Sequence, residues 1–108
     1  QTAVDLWVSD PAAATITYGN ISTWDVSQVT DMSNLFQNKQ TFNDDISAWD
    51  VSSVTSMELM FESAILFDQN IGSWDVSSVA DMGFMFATAS AFNQNIGVLL
   101  ICKVCFLM

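Results

Sequence analysis

The sequence predicts an α/β repeat fold: parallel strands stacked into a solenoid, one short helix per turn, with an N-terminal cap helix closing one end. A tryptophan recurs at Trp24, Trp49 and Trp74, each inside Trp-Asp-Val-Ser, so a fixed 25-residue step runs through the chain. The step carries apolar positions with it, among them Ile21, Ile46 and Ile71; Met32, Met57 and Met82; Phe36, Phe61 and Phe86; Phe42, Phe67 and Phe92. Self-similarity at such a period marks stacked units, none of which can bury its apolar face alone. These boundaries divide the chain into a cap at 1–20, three 25-residue repeats at 21–97 and an apolar terminal strand or tail at 98–108.

In the first segment, Ala3 with Trp7 and Val4 with Val8 are i,i+4 pairs, which predict a short helix stopping before Asp10-Pro11. An extended or turn-like path through residues 12–19 then leads into the first repeat. Within each repeat Ile-x-x-Trp-Asp-Val is rich in β-branched and aromatic residues and predicts a strand, at 21–26, 46–51, 71–76 and, in register, 96–101. Asp31, Ser56 and Asp81 stand as N-caps before apolar sets spaced i, i+3, i+4, which predicts helices near 32–38, 57–63 and 82–88. The three tryptophans are expected to stack inside.

Composition narrows the function. Half-apolar content with 13% charged residues in 108 residues excludes general disorder. Twelve acids against Lys39 and Lys103 leave a formal charge of −10, which repels nucleic acid and anionic membrane surfaces. With no histidine and no arginine there is no Ser-His-Asp or Cys-His relay and no arginine clamp. These absences predict a protein that is not an enzyme. Cys102 and Cys105 are too few for a zinc site and read as small apolar residues of a terminal strand, their disulfide state left open. The apolar stretch Val98 to Met108 is shorter than the ~20 residues of a membrane span and is interrupted by Lys103. The chain opens on Gln1, as a processed or excised segment would.

Four surfaces are candidate sites. Asp25, Asp50 and Asp75 share one repeat position and form a carboxylate column, the surface on which a partner is expected to bind. Hydrogen bonds to nearby serines are its structural explanation, and a cation site is the alternative, calcium being the ion such hard oxygens suit. No other cofactor is expected. The pairs Asn43/Asp45, Asp68/Asn70 and Asn93/Asn95 form a second polar column, read as side chains bonding between turns. The position Asn34, Leu59, Phe84 grows apolar along the chain, as a partner-binding face would. In the tail, Leu99 replaces the tryptophan of the pattern, Leu100 the aspartate, Ile101 the valine and Cys102 the serine, so every polar outward position but Lys103 is lost. Self-association through residues 96–106 as an antiparallel two-fold pair, with Leu99, Ile101 and Phe106 among its contacts, is the expectation.

The long pattern Phe-Asn-x-x-Ile-x-x-Trp-Asp-Val-Ser-x-Val-x-x-Met-x-x-Met-Phe resembles the BspA-like surface repeats, over Ile21 to Gly97. The resemblance implies a right-handed leucine-rich-repeat-like solenoid outside the cell or on its surface, used for adhesion or for recognition of a protein or surface ligand, with no catalytic residues to carry over. The alternatives are a self-associating structural protein, as dimer or filament, and a cation- or carbohydrate-binding module.

Overall fold

In a computed structural model, which describes residues 1–94, two helices open the chain: α1, Thr2–Ser9, and α2, Pro11–Tyr18. α1 lies where the i,i+4 pairs place a helix and turns Val4 and Trp7 inward. α2 replaces the extended path expected there. Asp10 serves both helices, ending α1 with its amide on the Leu6 carbonyl and starting α2 by accepting from the Ala13 amide (3.2 Å), with Pro11 in the first turn. Proline at that position has no amide to leave unpaired and its φ is already helical. α2 ends at Gly19, whose φ of 80° is the conformation glycine adopts without strain.

Beyond α2 the molecule departs from the expected α/β class with parallel strands. Among the described residues there is no strand at 21–26, 46–51 or 71–76 and no helix at 32–38, 57–63 or 82–88, and the leucine-rich-repeat-like architecture built on them falls with them. The expected strand at 96–101 lies outside the described residues. Among the described residues, regular structure in the repeats is limited to one 3-10 turn, Ile21–Thr23, and two isolated parallel bridges, Asp31 to Ser56 and Ser56 to Asp81.

What replaces the expected elements is a chain of tight turns repeated with the sequence. The first residue of each turn accepts from the amide three places on: Trp49 on Ile46 (3.1 Å), Val54 on Val51 (3.0 Å), Met60 on Met57 (3.1 Å), Ala64 on Phe61 (3.0 Å), Phe67 on Ala64 (3.1 Å). The apolar spacing i, i+3, i+4 suits such turns as well as it suits a helix. A helix is stopped by left-handed residues at Asn34, Leu59 and Phe84 and, four places later, at Asn38, Ser63 and Thr88, with φ of 54° to 63°. Each reverses the backbone's hand, so no run of i→i+4 bonds can propagate.

Successive units lie against one another and exchange backbone hydrogen bonds. The amides of Met32, Asn34, Phe36 and Asn38 donate to the carbonyls of Ser56, Glu58, Met60 and Glu62 at 2.8 to 3.0 Å. Those of Met57, Leu59, Phe61 and Ser63 donate in the same way to Asp81, Gly83, Met85 and Ala87. An ordinary parallel strand alternates donors and acceptors along each edge. Along this stretch every one of these bonds runs from an earlier unit's amide to a later unit's carbonyl.

The core is the sum of the repeated positions. Phe36, Phe61 and Phe86 stack with centroids 5.4 and 5.6 Å apart, and Phe42, Phe67 and Phe92 at 5.8 and 5.9 Å, with the rings nearly parallel in both columns. Trp49 and Trp74 are buried, and their indole N–H groups donate to the carbonyls of Ile21 and Ile46, one unit back. Trp24 has no earlier unit; its indole reaches the Gly19 carbonyl and it stays half-buried. Residues 1–20 sit against the first repeat through Trp7 Nε1 on Asp44 Oδ2 (2.8 Å), the Lys39–Asp5 ion pair (2.8 Å) and Gln1 Nε2 on the Leu35 carbonyl (3.1 Å). No polar side chain is buried among the described residues.

Candidate functional site

Asp25, Asp50 and Asp75 are exposed, and each uses Oδ1 to accept from the amide and hydroxyl of the serine two residues on, at 3.0 and 2.6 to 2.7 Å. The same local turn occurs at Asp45 with Ser47, and at Asp31 with Ser33. The serine hydroxyl and then its amide hold all five carboxyls below the usual aspartate range. At Asp50 the flanking Asp25 and Asp75 push weakly the other way. One oxygen of each column member is thus committed to its own turn. Among the described residues no group of three His, Cys, Asp or Glu is placed to hold a metal ion.

In the second column the first members of the pairs bond between units, while Asp45 and Asn70 accept from the Ser47 and Gly72 amides within their own turns. Asn43 Oδ1 accepts from the Asp68 amide (2.8 Å) and Asp68 Oδ1 from the Asn93 amide (2.9 Å), while Gln69 and Gln94 reach back with their side-chain amides to the same residues. Sequence reasoning names these positions but misses the two glutamines, which the 25-residue register would have paired.

The third position brings a different chemistry. Asn34, Leu59 and Phe84 occupy one left-handed backbone position in successive units, Leu59 half-buried and Phe84 62% exposed. Asparagine tolerates that conformation; leucine and phenylalanine are strained in it. Ile65 and Leu66 are also exposed on the loop after Leu59. Leu99, Ile101 and Phe106, with the proposed 96–106 pairing, lie outside the described residues.

A further opening lies under α1, where the repeat pattern signals nothing: a crevice of about 210 Å³ walled by Trp24, Val26, Val29 and Leu35, with Asp31 and Gln1 among its polar lining. No helix among the described residues is long and apolar enough to cross a membrane.

The model of a family described as Mycoplasma protein of unknown function, DUF285, matches residues 9–105. No curated protein and no solved structure matches the chain.

Proposed function

We infer that this chain, which belongs to the family described as Mycoplasma protein of unknown function, DUF285, is a non-catalytic recognition module that acts outside the cell or on its surface, in the manner of BspA-like adhesion repeats. One observation carries the reading. Phe84 holds a large apolar ring in solvent on a left-handed backbone, at the position where the first unit has asparagine. Neither burial nor backbone preference favours phenylalanine there, and features unfavourable on both counts concentrate where a partner is contacted. The net charge of −10 and the lack of histidine and arginine add support, since both disfavour nucleic-acid binding and side-chain catalysis.

Retention of the purified chain on immobilised extracellular-matrix proteins and on a glycan panel tests this. Phe84→Asn should lower retention on whichever surface binds the wild type by at least about tenfold, the effect of losing one exposed aromatic contact. The thermal midpoint should stay the same or rise. Equal retention by wild type and variant, or no retention on any surface, would overturn the reading.

A further inference from the structure

The first repeat presents an edge that later repeats have covered. In the second unit the carbonyls of Ser56, Glu58, Met60 and Glu62, and in the third those of Asp81, Gly83, Met85 and Ala87, accept amides from the unit before. Their counterparts in the first unit are Asp31, Ser33, Leu35 and Gln37. Only Leu35 has a partner among the described residues, the Gln1 side chain, and the carbonyls of Asp31, Ser33 and Gln37 have none. The side chains show the same deficit. Trp49, Val51, Val54 and Met60 are each 4% exposed or less, whereas Trp24, Val26 and Leu35 are only partly buried and Val29 is 36% exposed. α1 covers part of this face and leaves the crevice beside the unpaired carbonyls.

An occupant must bring main-chain N–H groups to the edge, as an added strand does, and apolar side chains to the crevice. It must also approach a molecule of net charge −10 at a mouth carrying Asp31. Residues 98–108 of this chain meet each condition. They read Val-Leu-Leu-Ile-Cys-Lys-Val-Cys-Phe-Leu-Met, contain no proline and no acidic side chain, and carry Lys103 as their one charged side chain. We propose that the tail 98–108 of a second copy docks along the open edge of the first repeat, with its apolar side chains in the crevice and Lys103 toward Asp31. Such a contact joins two different surfaces, so it repeats from copy to copy and assembles chains head to tail in place of a closed two-fold dimer.

Two full-length variants damaged at opposite surfaces test the proposal by sedimentation velocity. Val29→Asp blocks the crevice at a side chain already partly in solvent, and Ile101→Asp places a charge in the tail. Wild type should form species that lengthen with concentration in the tens of micromolar. Each variant alone should associate at least tenfold more weakly, and their mixture should give a single 1:1 complex through the one intact pair of surfaces. Circular dichroism confirms folding of each; if Val29→Asp fails to fold, Asp31→Lys replaces it, with association restored by Lys103→Glu. Undiminished association of the crevice variant would show tail-to-tail pairing and overturn the proposal. A wild-type chain monomeric at every concentration would overturn it too.

Discussion

Single residues carry opposite burdens in this protein, and substitution should separate them. Trp49 is buried with its indole on the carbonyl of Ile21, one unit back. Trp49→Ala should cost about 3–5 kcal/mol, measured by urea unfolding, through the cavity and the bond lost together. Phe84 is the reverse case, since its ring is largely in solvent and its backbone is strained. Phe84→Asn should stabilise by about 1 kcal/mol, by relief of the left-handed conformation. A loss of stability would mean that the ring packs more than its exposure indicates. For Asp50 the decisive group is one acceptor oxygen. Asp50→Asn keeps an oxygen for Ser52 but gives up the charge that the serine hydroxyl and amide favour, a loss that relief of the repulsion from Asp25 and Asp75 only partly offsets. The melting temperature should therefore fall slightly, and Asp50→Ala should lower it further. Calcium at millimolar concentration gives the complementary check: a rise in melting temperature that Asp50→Asn abolishes would restore the cation reading of the column.

Elements show how much was legible in the residues alone. The core positions were: the tryptophan, methionine and phenylalanine sets that the period singles out are the ones buried, Trp24, Phe86 and Phe92 being only partly so. Their local backbone was not, because i, i+3, i+4 spacing is shared by a helix and by successive tight turns, and the hand of residues 34, 59 and 84, with that of 38, 63 and 88, separates the two. Asn34 and Asn38 hint at a left-handed backbone. Leu59 and Phe84 hide it, since nothing in those side chains favours it. Helix α2 escaped notice because Asp10-Pro11 reads as a stop for α1 and is also a cap and first turn for the next helix. Asp10→Ala should therefore cost about 1 kcal/mol, as a lost N-cap, with reduced helicity by circular dichroism. Of the candidate sites, the two polar columns were legible as positions. The crevice under α1 was not, because it arises from incomplete cover and no residue announces it.

At the scale of the whole molecule, acidity and hydrogen bonding combine into a pH response. Asp25, Asp31, Asp45, Asp50 and Asp75 are held below their ordinary range by serine hydroxyls and amides, and Asp68 by Gln94 and the Asn93 amide. Unfolded, they return to about 3.9. The unfolded chain then binds more protons in that window, so their contribution is fully present above the unfolded value and is lost as pH falls through the lower folded values. The melting temperature should be level from pH 7 to about 5 and fall below about 4. Protonation also relieves repulsion in a chain of charge −10, an opposing effect that salt screens, so the fall should be steeper at high ionic strength. A midpoint that rose on acidification in high salt would contradict this account.

The close repetition of turns, stacked rings and amide-to-carbonyl bonds has a genetic consequence. Residues 46 and 71 begin equivalent units, so removal of 25 codons, residues 46–70, splices the first unit to the third in phase and leaves every remaining neighbour relation of a kind the molecule already contains. Loss of a single codon within the same stretch displaces the tryptophan, methionine and phenylalanine columns from one another and strands the left-handed positions on other residues. Recombination between repeats is therefore an error that this gene can absorb, and slippage by one codon is an error that it cannot.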